Sequence, residues 1–266
     1  MTFSIDAITL GVLDTESARR FYTEGFGLPV LADHGDFVSL GLGDHAAPLS
    51  LYANGALATD AQTKPDGDGF RGFTISYLVE APAAVDLIIE QATAAGGRVI
   101  KPAKKSIWGG YGGVLQVPDG AIWKIVTPAK KGEAVTAIPA PTDVPVLIGV
   151  ADVKASVAFY ESLGMPVRKS YGGKYADFVS GDGTSTLALY PWDALAKDAG
   201  VPADGSGFRS MTLSRIVETP AEVDAALAAA AAGGGSIAVP AEQAQWGGYS
   251  GYLADPDGFL WKVACR

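Results

Sequence analysis

Apolar and polar residues alternate with a two-residue period from Ser4 to Val12, the pattern of a strand with one buried face. Asp14 and Thr15 then offer N-cap oxygens to a helix that places Ala18, Phe21 and Tyr22 on one side. Three short apolar runs follow, Pro29–Ala32, Phe37–Leu42 and Leu49–Ala53. Gly and Asp turns divide them, which predicts an antiparallel meander. The order then begins again, with a strand over Phe73–Val79, a helix opening at Pro82, a strand near Val99 and a hairpin of Val114–Val117 with Ile122–Val126. Proline suits the first helical turn, where a missing N–H costs nothing, and Gly96-Gly97 suits the exit. The unit is βαβββ, used twice in the first half of the chain.

The second half repeats the first. Trp108–Lys124, WGGYGGVLQVPDGAIWK, returns 138 residues later as Trp246–Lys262, WGGYSGYLADPDGFLWK. The same offset aligns Gly69-Phe70-Arg71 with Gly207-Phe208-Arg209 and Phe21-Tyr22 with Phe159-Tyr160; only the stretch leading to Tyr52 and Tyr190 needs compensating gaps. A repeat of this kind fixes the architecture that every motif must fit. It divides the chain into a domain at 1–128, a Pro-rich and charged linker at 129–143 that reads as a semi-rigid spacer, and a second domain at 144–266. Pro118-Asp119-Gly120 and Pro256-Asp257-Gly258 read as turns between strands, backbone devices rather than catalytic groups.

Composition narrows the function classes. Over 266 residues, 20 Lys and Arg face 29 Asp and Glu, a formal charge of −9 with no basic stripe, so neither nucleic acid nor an anionic membrane is expected as a partner. No apolar run approaches the roughly twenty residues of a membrane span. The opening MTFSIDAITLGVLD lacks a basic leader, and the one cysteine, Cys265, excludes an intrachain disulfide or a Cys-based zinc site. The expected setting is the cytoplasm, with a homodimer left open.

Four modules, opening with patterns such as Ile8-Thr9-Leu10-Gly11-Val12-x-Asp14 and closing with W-G-G-Y-S-G-Y-x-x-D-P-D-G-x-x-W, resemble the vicinal oxygen chelate (glyoxalase, bleomycin resistance, extradiol dioxygenase) superfamily. The resemblance covers both copies and spares the linker. It implies an α+β fold of tandem glyoxalase-like domains, their βαβββ modules forming a curled mixed sheet around a cleft. It also implies where metal ligands would lie. The first His falls at Ala7 and Pro145, the second at Thr74 and Thr212, and the final Glu at Lys124 and Lys262; the stretches Leu49–Tyr52 and Leu187–Tyr190 hold neither His nor carboxylate. A hydroxyl substitutes poorly for imidazole, and an ammonium opposes a dication, so no metal and no other cofactor is expected. His34 and His45 lie in polar turn segments without converging partners.

The lysines are the sharpest chemical signal. Strand alternation sets Ile122, Lys124 and Val126 on one face and Trp123 and Ile125 on the other. By the resemblance, the lysine face looks into the cleft, where Lys124 and Lys262 supply charge to an anionic ligand; the competing reading is a lysine at a strand end reaching solvent or an aspartate. Trp108, Tyr111, Trp246 and Tyr249 flank Gly pairs as candidate aromatic walls, or else cover a sheet edge. Arg71 and Arg209 are candidate carboxylate clamps or partners of nearby acids, and Tyr52 and Tyr190 complete the candidate set. The leading expectation is a metal-free protein that binds a small molecule of the antibiotic or natural-product type. A metal-independent isomerase or lyase acting on a small metabolite stands as the alternative, and a structural or interaction role as the third.

Overall fold

The computed structural model describes residues 3–105, 110–243 and 247–266. The first copy runs β1 (Ala7–Val12), α1 (Thr15–Gly25), β2 (Val30–Asp33), β3 (Phe37–Leu40), β4 (Leu49–Ala53), α2 (Asn54–Asp60), β5 (Gly67–Gly69), β6 (Phe73–Leu78), α3 (Pro82–Ala94), β7 (Arg98–Lys105), β8 (Tyr111–Gln116) and β9 (Ile122–Thr127). The second runs β10 (Val146–Val150), α4 (Val153–Ser162), β11 (Val167–Ser170), β12 (Ala176–Phe178), β13 (Leu187–Pro191), α5 (Trp192–Ala199), β14 (Gly205–Gly207), β15 (Met211–Ile216), α6 (Pro220–Ala232), β16 (Ser236–Gln243), β17 (Tyr249–Ala254) and β18 (Leu260–Cys265). Local chemistry explains the boundaries. Asp14 and Asp152 cap α1 and α4 through the N–H groups of Glu16 and Ser17 and of Lys154 and Ala155. Proline opens α3 and α6, the latter closed by a reciprocal Thr219–Glu222 capping box. Four elements had no counterpart in the sequence reading: the short helices α2 and α5 and the ribbon strands β5 and β14.

The α+β architecture is as expected, but the sheets do not follow the copies. One eight-stranded sheet has the order β16-β17-β18-β15-β1-β4-β3-β2, the other β11-β12-β13-β10-β6-β9-β8-β7. Each joins one module of the first copy to one of the second. The seams are antiparallel: β1 meets β15 with Leu10 opposite Met211, and β10 meets β6 with Ile148 opposite Phe73. The helices, in contrast, pack within a copy, α1 on α3 and α4 on α6. Pairing across the copies consumes the strand edges that β1, β6, β10 and β15 would otherwise expose. Where the two module connections cross, β5 pairs with β14, Gly67 opposite Gly207 and Gly69 opposite Gly205. A Cβ on Gly69, which holds φ +69°, would stand 2.2 Å from Asp204 O, so only glycine lets the two chains touch there.

The linker is no free spacer. Its last residues follow β6, with Leu78 N–H donating to Asp143 O and Tyr77 Oη to Pro139 O at 2.8 Å, and Ile138 packs on the core. One continuous core fills the space between the helices and the sheets' convex faces, with Trp123 and Trp261 fully buried in it. This is where alternation along the last strand placed them. Each indole N–H donates to a buried tyrosine, Trp123 to Tyr22 and Trp261 to Tyr160, both at 3.3 Å. Tyr22 donates on to the turn residue Asp119 at 3.0 Å; Tyr160 donates to Asp255 at 2.6 Å, which occupies the place of Val117. The turn aspartates are backbone devices, Asp119 accepting Ala121 N–H and Asp257 accepting Ala151 N–H. Among the described residues, no helix is long and apolar enough to cross a membrane.

Two outcomes follow from this construction. Chains 1–132 and 133–266, co-expressed, should co-purify as a one-to-one complex eluting with the intact protein, because each half alone leaves the seam edges open; separate elution of two folded halves would contradict the sheet order. Burial also pushes the Asp255 carboxyl up to about 6. Its pKa is therefore higher folded than unfolded, so its contribution is fully present below about pH 4 and is lost as pH rises through about 6. Asp255→Asn should gain on the wild type by about 2 to 3 kcal/mol between pH 4 and pH 7 in chemical denaturation. A constant difference between the two would show that Asp255 does not titrate.

Candidate functional site

Each sheet curls around a concave face, and the sheet order decides which candidate residues meet there. On the first sheet, Ala7, Ser214, Lys262 and Tyr252 form one row across β1, β15, β18 and β17, and Thr9 lies opposite Thr212. On the second, Ser76, Lys124, Val114 and Lys101 form the matching row across β6, β9, β8 and β7. Thr74 lies opposite Leu147, and Ser76 N–H donates to Pro145 O. The positions expected to group within a copy thus group across copies: Ala7 with Thr212 and Lys262, Pro145 with Thr74 and Lys124. Side chains on one strand face stay together whatever the sheet order, so both lysines lie on the face opposite the buried Trp123 and Trp261, as read from the alternation.

Both concave faces are partly filled by the chain itself. On the second sheet, Leu195, Ala196 and Ala199 of α5 pack on Val114, Ile122, Leu147 and Ala188. On the first, Leu57 and Ala58 of α2 pack with Tyr52, Phe208 and Leu260, and Ala61 packs with Val239 and Tyr252. Helix α5 carries Asp198 directly onto Lys124, and the two form a salt bridge with the lysine side chain 17% exposed. The equivalent Asp60 on α2 sets its negative charge toward Lys262, opposing the burial that lowers the lysine pKa. Lys262 Nζ lies 5.5 Å from the Tyr252 ring centre. The aspartates were missed in the sequence, although the apolar spacing of Leu195, Ala196 and Ala199 before Gly200, a C-terminal stop with φ +82°, carries a helix signal.

The other candidates divide. Tyr111 and Tyr249 do not line the clefts with their hydroxyls: Tyr111 donates to Asp86 on α3 at 2.7 Å and Tyr249 to Asp224 on α6 at 3.0 Å. Both rings leave on the helix face, as would side chains at Gly113 and Gly251 two residues on, where a Cβ would meet Ile89 of α3 and Leu227 of α6. Trp108 and Trp246 lie outside the described residues. Arg71 and Arg209 brace the hairpin turns instead of a carboxylate, donating to Asp119 O at 2.7 Å and Asp257 O at 3.0 Å. Arg209 also stacks over Trp192 and Phe259. Tyr52 and Tyr190 sit on the concave side, edge-on to Phe37 and to Tyr175, and partial burial raises both phenol pKa values further from neutrality. A phenolic acid of that kind transfers protons poorly at neutral pH. His34 and His45 are exposed.

Two kinds of opening remain. Beside the crossing ribbon, a depression of about 490 Å³ is lined by Lys64, Phe208, Met211 and Leu260 on the first sheet, and its equivalent near Arg71 and Ile122 on the second measures about 190 Å³. The second sheet also has a groove of about 580 Å³ along β7 to β9, reaching Lys124 and Asp198.

Known proteins place this geometry. Among curated proteins none matches the chain. In solved structures, glyoxalase I from Zea mays covers 99% of this chain and 92% of its own, with TM-score 0.68 at 20% identity. A putative dioxygenase from Bacillus subtilis covers 99% and 85%, with TM-score 0.64 at 15% identity. At such identities the likeness is one of fold. The family profile of the glyoxalase/bleomycin resistance protein/dioxygenase superfamily matches twice, at residues 4–125 and 144–263. The chain belongs to the glyoxalase/bleomycin resistance protein/dioxygenase superfamily, as two tandem copies of its domain.

Proposed function

We propose that the protein binds a small organic molecule in its concave clefts without a metal, in the manner of the antibiotic- and natural-product-binding members of the superfamily. The observation that carries this is the group at the centre of each cleft. Where metal-dependent members place their last carboxylate ligand, this chain places Lys124 and Lys262, both on the concave face.

The donor set tests whether a metal fits. One cleft offers Ala7, Thr212 and Lys262, the other Pro145, Thr74 and Lys124, and β4 and β13, beside β1 and β10, contribute Ser50 and Ala188 to the same faces. The Thr74 hydroxyl is fully buried with no hydrogen-bond partner, so an orphan oxygen exists, but the carboxylate at this cleft, Asp198, is held by Lys124, and among the described residues no group of three His, Cys, Asp or Glu side chains is placed to hold a metal. Two neutral hydroxyls and an ammonium do not satisfy a divalent ion. The fit fails. What supports binding is concave, mostly apolar space beside a few polar groups. A cytosolic setting suits Cys265, a free buried thiol.

The purified protein should hold no stoichiometric zinc, nickel, iron or manganese by elemental analysis, and Lys124→Glu with Lys262→Glu should not restore one, since the other ligand places stay empty; about one tightly held ion per chain would refute the metal-free reading. Native mass spectrometry after incubation with a metabolite extract should show at most one small compound per cleft, released unchanged on denaturation. Recovery of that compound chemically altered would assign catalysis instead of binding.

A further inference from the structure

The two clefts have diverged, and the divergence selects a ligand for one of them. On the second sheet the groove along β7 to β9 has a floor of Gly112, Val114 and Val126, with Pro102 at its side. Gly112 sits between Lys104 and Val126 in the ladder, and Val114 between Lys101 and Lys124, so all of these side chains share the concave face. The floor is made of small residues packed closely together: a Cβ on Gly112 would come within 2.7 Å of Val126 Cγ1, so Val126 lies against the glycine and the groove runs above the pair. On the first sheet the corresponding residues are Ser250 and Tyr252. The Tyr252 ring is 4% exposed and packs on Ala61 and Val239, filling the space that Val114 leaves.

Charge diverges with shape. The open groove is lined by Lys101, Lys104, Lys105 and Lys124, with Asp198 as the one carboxylate among its described lining residues. Lys101 spends its ammonium on the last carbonyls of α5, donating to Lys197 O and Asp198 O at 2.8 and 2.7 Å, and Lys124 holds the Asp198 carboxylate. Lys104 and Lys105 stand exposed at the rim. Their counterparts around the filled cleft are Val239, Glu242 and Gln243, with Lys262 facing Asp60. On a chain of net charge −9, one small groove concentrates cations over an apolar floor. Such a concentration raises the local population of anions.

We infer that the groove along β7 to β9 binds a small organic acid with a flat apolar body, its carboxylate held by Lys104 and Lys124 with Lys105 adding positive charge at the rim, and that the equivalent surface of the first sheet does not. This rests on the reading of the clefts as metal-free binding sites and narrows it to one cleft and one ligand class. The apolar body lies on Gly112, Val114 and Val126, while Asp198 yields part of its hold on Lys124 to the incoming carboxylate. The Lys101 contacts to the end of α5 keep that helix in place.

A matched pair of probes tests it: 4-nitrobenzoate and its neutral isostere 4-nitrobenzamide, titrated by calorimetry. The acid should bind about tenfold or more tighter than the amide, consistent with about 1.5 kcal/mol for a charge-assisted contact. Lys104→Gln with Lys105→Gln should cut acid affinity three- to tenfold and leave the amide unchanged. Val114→Tyr, copying the residue that fills the other cleft, should weaken both probes, whereas Glu242→Gln should change neither. Val114→Leu serves the same purpose if the tyrosine variant fails to fold. Equal affinities for the two probes, no binding of the acid, or acid binding that survives Val114→Tyr would each overturn the inference. A neutral compound recovered from the extract would meanwhile leave the proposed function standing, so the two failures are distinguishable.

Discussion

An unpaired strand edge presents a row of N–H and C=O groups, and burying it against water costs more than any single side-chain contact recovers. In this chain four such edges, on β1, β6, β10 and β15, close on each other in two antiparallel seams. Everything else depends on that closure. It makes each eight-stranded sheet from modules of opposite copies, and it forces the two module connections past each other at a ribbon whose outer positions, Gly67, Gly69, Gly205 and Gly207, have no room for a Cβ. Because the helices pair within a copy while the strands pair between copies, neither repeat can be lifted out as an independent body.

The same closure assembles the clefts. Lys124 of β9 pairs with Asp198 on α5, and Asp60 on α2 sets its charge toward Lys262 of β18; each helix belongs to the copy opposite its lysine. The short helices lie on the concave faces because those faces are apolar around Leu147, Ala188 and Ile122 or around Tyr52 and Leu260, and a helix with one alanine- and leucine-rich side covers such a surface. A metal-dependent member needs its concave face clear for converging ligands. Here the centre carries a lysine, ion-paired with Asp198 in one cleft and facing the charge of Asp60 in the other, and space is found beside the helices. Duplication then let the halves part company, since a substitution such as Val114 against Tyr252 alters one cleft without touching the other.

The buried aspartates show a related substitution of parts. Tyr22 and Tyr160 occupy equivalent places and receive equivalent tryptophan N–H groups, yet one donates to the turn residue Asp119 and the other to Asp255. A buried phenol must find an acceptor, and the chain supplies one from either of two positions two residues apart. The repeat therefore conserves the hydrogen bond while moving the residue that makes it.

Periodicity and caps in the sequence were enough to place nearly all of the strands and the four long helices, because alternation and N-caps are local signals that tertiary packing reinforces. The 138-residue offset established the duplication, and strand alternation separated the core indoles Trp123 and Trp261 from the inward Lys124 and Lys262. The ligand places at Ala7, Thr74, Lys124 and their counterparts came from the resemblance, which needs only alignment to a motif. Strand partners were not legible. Each module presents chemically similar edges to either copy, and nothing local in β1 distinguishes β6 from β15 as its neighbour. For the same reason the sequence could not bring Asp198 to Lys124 across 74 residues, send Tyr111 and Tyr249 to the helix face, or tie Arg71 and Arg209 to backbone carbonyls. Those contacts exist only once the sheets have closed, which is a decision of tertiary packing.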